Sequence, residues 1–142
     1  MHVIGLRTAA TFTAGLIVVS ALTLSSGPPA IAAPQGSAGL EGTWSGAGSV
    51  RFPTGDIEKV RCKATFTKRG SASYSMTAIC ATASGRVQQT AVVAQTSPNR
   101  FIGNFENLEY GITGSLHITL KGRSMNAAFA GGGGSATVTM SR

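Results

Sequence analysis

From Gly42 onward, apolar and polar residues alternate with a period of two, in short runs separated by clusters of glycine, proline, serine and asparagine. Turn signals recurring at about eight- to twelve-residue spacing predict an all-β domain. The pattern resolves into eight strands: Gly42 to Phe52, Ile57 to Arg69, Ser73 to Ser84, Val87 to Thr96, Arg100 to Asn107, Ile112 to Leu120, Ser124 to Ala130 and Ser135 to Ser141. Between them, Pro53-Thr54-Gly55-Asp56, Gly70-Ser71-Ala72, Gly85-Arg86, Ser97-Pro98-Asn99 and the run Gly131 to Gly134 carry tight-turn chemistry.

The alternation also assigns faces. In the second strand Val60, Cys62, Ala64 and Phe66 point one way, and Lys59, Arg61, Lys63, Thr65 and Thr67 the other. Tyr74, Met76, Ala78 and Cys80 share a face of the third. With Gly70-Ser71-Ala72 as the hairpin loop, Arg69 stands opposite Ser73, and the pairing runs through Phe66 with Met76 and Ala64 with Ala78 to Cys62 with Cys80. Later strands turn Phe101, Gly103 and Phe105, then Ile112, Leu116, Ile118 and Leu120, then Met125 and Phe129, and finally Val138 and Met140 inward. The fourth strand, Val87-Gln88-Gln89-Thr90-Ala91-Val92-Val93, has no clean face and is expected to be an edge or to carry a bulge.

Every connection is too short for a helical crossover, so sequential strands pair antiparallel. Eight such strands close most simply into an up-and-down barrel, because closure removes both exposed edges; a two-sheet sandwich or half-open roll is the alternative. A barrel of this size is either filled by side chains or holds one small ligand. Trp44, Phe66, Tyr74, Met76, Phe101 and Phe105 are the candidates for its floor or interior. The small inward residues Gly46, Gly48, Ala64, Ala78, Gly103 and Gly114 are expected to leave room for a cavity.

The first 32 residues follow a different pattern. Arg7, a mostly apolar run from Ala9 to Leu24, a breaker-rich Ser25-Ser26-Gly27-Pro28-Pro29 and Ala30-Ile31-Ala32 have the layout of a secretory signal peptide. The apolar run is shorter than the ~20 residues of a spanning helix and ends at two prolines, and no cysteine near the cut indicates a lipoprotein. Residues 33–41 read as a flexible N-terminal segment and residues 42–142 as a single domain, periplasmic or secreted and not integral to the membrane. Loss of Arg7 lowers the formal net charge from +7 to +6.

Export places Cys62 and Cys80 where thiols oxidise, and the register sets them face to face, so a disulfide is expected. A metal centre needs more nitrogen or sulfur ligands than the chain offers. His117 is the one histidine beyond the leader, and no C-x-x-C spacing occurs. No cofactor is implied.

Gly42-Thr43-Trp44 resembles the G-x-W opening of lipocalins and avidin-type barrels, in which the tryptophan helps close the barrel floor. That resemblance covers the first strand and implies the fold without a ligand. Gly42-Thr43-Trp44-Ser45-Gly46, Glu58-x-Val60-Arg61-Cys62, Cys80-Ala81-Thr82-Ala83-Ser84-Gly85, and Glu109-Tyr110-Gly111 with Gly114 are similar to the pattern of a family of small secreted proteins of rhizobia and related alphaproteobacteria. This second resemblance implies a Gram-negative periplasm or secretion, and no activity.

Little in the chain points to catalysis. His117 falls between the inward residues Leu116 and Ile118, hence toward solvent, and no G-x-S-x-G elbow accompanies it. Glu106 and Glu109 flank a turn and read as loop acids, not a glycosidase pair. The positive surplus has more direction. Lys59, Arg61 and Lys63 project from one strand face, and Lys68 and Arg69 extend the stripe to the hairpin tip. Such a stripe is a candidate contact for anionic lipid or glycan, or a solubilising wall. Nucleic acid fits poorly, since no exposed aromatics are interleaved to stack bases. The expectation is a non-catalytic exported barrel that binds a small ligand or an anionic envelope component. A structural or interaction protein with an envelope protein as partner, or a protein inhibitor, comes next, and an enzyme last.

Overall fold

The computed structural model describes Gly27 and residues 39–142. Apart from Gly27, the leader and residues 33–38 lie outside the described residues. Eight strands follow in chain order: β1 Gly42–Arg51, β2 Ile57–Lys68, β3 Ser73–Thr82, β4 Gly85–Ser97, β5 Arg100–Asn107, β6 Ile112–Lys121, β7 Ser124–Gly131 and β8 Gly134–Ser141. Each strand pairs antiparallel with the next, and β8 returns to β1, with Met140 opposite Gly46 and Ser135 opposite Arg51. The architecture is the closed up-and-down barrel, not the sandwich or half-open roll.

Closure is staggered. Direct partners followed around the wall from Gly42 run through Phe66, Met76, Ala91, Phe105, Gly114 and Gly131 to Gly134, which lies beside Arg51 at the far end of β1. One circuit therefore climbs about ten residues, and this stagger tilts the strands and sets the barrel radius. On β2 and β3 the period-two reading gives the observed register: Phe66 pairs with Met76, Ala64 with Ala78 and Cys62 with Cys80. The two cysteines form an inward-facing disulfide.

Two expectations are corrected. β4 is no edge, because it pairs with β3 and with β5 along its length, and it does have an inward face formed by Val87, Gln89, Ala91 and Val93. A polar Gln89 on that face obscured the alternation. The other half of that expectation holds: β4 carries a register irregularity, at Gln95 and Ser97, beside the β4–β5 turn. The strand glycines also do a different job from the one expected. A Cβ on Gly46 would overlap the Thr139 carbonyl oxygen, and one on Gly103 would overlap that of Val92. Neighbouring backbone already occupies this space, so these glycines permit tight bending and close strand approach and add no void.

Bulky side chains gather at the end of the barrel where β1 begins. Trp44, Phe66, Tyr74, Phe101, Leu120, Met125 and Met140 are all buried there, and the small Ala64 opposite Trp44 makes room for the indole. Leu40, two residues ahead of β1, is completely buried against them and belongs to the packed domain. Trp44 Nε1 donates to the Leu40 carbonyl at 2.9 Å. The Arg142 guanidinium lies 4.6 Å from the centroid of the Trp44 ring and donates to the Glu41 carbonyl. Arg123, in the β6–β7 turn, holds the Arg142 carbonyl through Nη2 at 3.0 Å. Leu40 and Glu41 ahead of β1 and Arg142 after β8 thus tie down over Trp44 and shut this end of the barrel.

Two outcomes follow from this packing. The Leu40→Ala variant is expected to lose about 2–4 kcal/mol in urea denaturation, as for any fully buried leucine, whereas a loss below about 0.5 kcal/mol would place Leu40 outside the cooperative unit. The double variant Cys62→Ala/Cys80→Ala opens a loop of sequence separation 18. It is expected to lose roughly 3 kcal/mol and to melt at a lower temperature with unchanged far-UV circular dichroism.

Candidate functional site

The opposite end of the barrel is built from smaller side chains. Phe105 and Phe129 meet edge to face, with centroids 5.3 Å apart. Beside them the interior contains a cavity of about 180 Å³, framed at the rim by Phe52, Pro53, Gly85, Tyr110 and the glycines of the β7–β8 turn. Its wall is mainly apolar. Val60, Val87, Ile112, Val138 and the Cys62–Cys80 disulfide contribute to it, and Ala136 adds a short side chain where a larger one would reach across.

Two amide residues interrupt this apolar wall, Gln89 on β4 and Asn107 on β5, which are direct partners in the ladder. Asn107 is buried, and its Oδ1 accepts hydrogen bonds from the backbone nitrogens of Glu109 and Tyr110, both at 3.1 Å. This Asx-type turn ends β5 and carries Tyr110, 69% exposed, to the rim. The connection is held against β4 by Leu108 N donating to the Gln88 carbonyl at 3.0 Å and by Gln88 N donating to Glu109 Oε2 at 2.8 Å. Gln89 is different. Its Oε1 is buried and has no hydrogen-bond partner among the described residues.

On the other side of the rim, the Glu58 carboxylate anchors the β3–β4 turn by accepting from the Ser84 hydroxyl and from Ser84 N. Hydrogen bonds from the Ser84 and Thr82 side chains, with that from Ser84 N, hold the Glu58 carboxyl below the usual carboxylate range. Glu109 and Glu58 therefore act as supports for the two turns at the mouth. His117 is exposed on β6, away from both.

The residues singled out from sequence separate into two groups. Trp44, Phe66, Tyr74, Met76, Phe101 and Phe105 are all buried, but Phe105 alone of these lines the cavity; the others fill the shut end and the middle of the barrel. Lys59, Arg61 and Lys63 stand exposed on the outer wall of β2, opposite Ser49, Ala47 and Ser45 of β1, and none lines the cavity. Lys68 borders a second hollow of about 460 Å³ among the hairpin loops at the shut end. Tyr74, Phe101 and Leu120 of the packed floor line that hollow on one side, and it adjoins Gly39, where the continuous described stretch begins. Arg69 Nε donates to Ser75 Oγ at 2.9 Å. Sequence reasoning missed Leu40, Gln89 and Asn107. Gln89 is in phase with Val87, Ala91 and Val93, which was the available signal for its inward position.

Among the described residues no group of three or more His, Cys, Asp or Glu side chains is placed to hold a metal ion, and no helix is long and apolar enough to cross a membrane.

No protein-family model matches the chain, and no curated protein does. Solved structures do resemble it. The redesigned β-barrel mFAP1 bound to DFHBI has 16% sequence identity and a TM-score of 0.62, covering 72% of this chain and 94% of that one. A de novo designed fluorescence-activating β-barrel has 15% identity and a TM-score of 0.57, covering 72% and 93%. A looser match is the Schistosoma mansoni fatty acid binding protein in complex with arachidonic acid, with 14% identity and a TM-score of 0.44 over 75% and 98%. At these identities the likeness is one of fold, a small closed antiparallel barrel.

Proposed function

We propose that this protein is a non-catalytic, exported binding module that takes one small, neutral, mainly apolar molecule into the mouth of its barrel. The observation that carries the reading is the asymmetry of the interior. One end is sealed by Leu40 and Trp44, and the other keeps about 180 Å³ of space between apolar walls. An apolar cavity of ~150 Å³ is large enough for benzene, so this one suits a molecule of one or two rings and is too small for a long acyl chain.

Charge narrows the class further. Among the described residues the one charged side chain bordering the cavity is Arg51, at the rim, so an ion drawn deep inside would lose water without gaining a counter-charge. A designed barrel of the same fold is bound to DFHBI, a precedent for ligand uptake by this architecture. The disulfide and the leader pattern support export to the periplasm or beyond. The basic stripe on β2 lies outside this site and is read as a solvating wall.

The test uses p-xylene, a neutral single-ring probe. At a free concentration ten times its Kd it is expected to stabilise the fold by about 1.4 kcal/mol, seen as a rise of several degrees in melting temperature. The Ala136→Phe variant, which puts a ring into the cavity, is expected to keep its β-type circular dichroism and lose this shift. Absence of both a melting shift and NMR perturbation of mouth residues in the wild type contradicts the proposal.

A further inference from the structure

Apolar packing does not explain Gln89 in the cavity wall. It sits on the inward face of β4 between Val87 and Ala91, where a leucine or methionine would fill the same volume and bury no polar atom. Its Oε1 instead lies buried without a hydrogen-bond partner among the described residues. An unmet acceptor in such a place costs stability. Across the ladder, Asn107 has already committed its Oδ1 to two backbone nitrogens, which leaves its amide nitrogen as the group it has to offer. Direct cross-strand partners stand about 5 Å apart at their Cβ atoms. The two side chains therefore bring an acceptor and a donor to one patch of wall.

Resting on the reading of the mouth as a ligand site, we infer that Gln89 and Asn107 form its polar recognition point and that the ligand is a neutral ring compound bearing a hydroxyl group. A hydroxyl both donates and accepts, so it meets the Gln89 oxygen and the Asn107 nitrogen together. A carboxylate only accepts, so it leaves Gln89 Oε1 unmet and is itself desolvated with no buried cation beside it. An ammonium only donates, and would leave Asn107 unmet and its own charge desolvated. A pure hydrocarbon fits the walls and leaves Gln89 unsatisfied. The chemistry selected is that of a phenol or a small cyclic alcohol.

The test compares p-cresol with p-xylene, which has a methyl group where p-cresol has its hydroxyl, by isothermal titration calorimetry on the wild type and on Gln89→Leu. The quantity read is the ratio of the two dissociation constants in each protein, which cancels the difference in hydrophobicity between the probes. The preference for p-cresol relative to p-xylene is expected to fall about tenfold in Gln89→Leu. The ligand-free variant should melt no lower than wild type, because it buries an apolar group where an unmet polar one stood. Gln89→Met serves as a second apolar replacement of similar length and is expected to behave alike. An unchanged ratio in both variants, with both probes still binding, overturns the assignment of Gln89 and leaves the small-ligand reading in place. Binding of p-xylene without p-cresol in the wild type likewise overturns the Gln89 assignment alone, and failure of both probes to bind wild type overturns both readings.

Discussion

The pairing of β1 with β8 is the constraint on which the rest of this protein depends. Once the sheet closes with a stagger of about ten residues, radius and tilt are settled, and the interior becomes a fixed volume that side chains fill or leave open. Closure also makes every strand central, so no edge is left to template pairing with another chain. Glycines at Gly46 and Gly103 make this curvature possible, since neighbouring backbone stands where their side chains would otherwise be.

Within that fixed volume the chain distributes mass unequally. Residues near the starts of the odd strands and the ends of the even ones include Trp44, Tyr74, Phe101, Leu120, Met125 and Met140, and this end is further bound by Arg142 stacked on Trp44. At the opposite end the inward positions carry valine, cysteine, alanine and isoleucine beside the Phe105–Phe129 pair. The sealed end anchors the fold, and the cavity at the other end is a local departure from complete packing. The disulfide lies in the cavity wall, where it cross-links β2 and β3 at a place with few bulky side chains to hold them together.

Much of this was legible in the chain. Turn chemistry placed every strand within two residues of its observed ends, and the β2–β3 register followed from one hairpin loop and the phase of Cys62, Ala64 and Phe66. Short connections implied closure. What could not be read were features decided by tertiary geometry. Leu40 lies before the first periodic residue, so alternation says nothing about it, and it is buried because Trp44 needs a carbonyl partner and a cover. Gln89 and Asn107 are polar, and a period-two reading built on apolar residues passes over inward polar ones. The space expected beside the glycines is taken up by adjacent backbone, whereas the actual cavity comes from moderate-sized residues at one end. The basic residues of β2 were correctly placed on one outward face, remote from the cavity.

The barrel's apolar interior is closed beneath Leu40 and Trp44, with the loop-lined hollow beside Lys68 on its outer side, and is open at the Phe105–Phe129 end. Diffraction from xenon-pressurised crystals tests this arrangement most directly, because xenon enters apolar voids without needing a specific chemical partner. A xenon site is expected between the Phe105–Phe129 pair and the rim, within contact of Val60 and Val138, with none beneath Trp44. A mouth without xenon, in which side chains such as Ile112 and Tyr110 have closed over the space, would contradict the account.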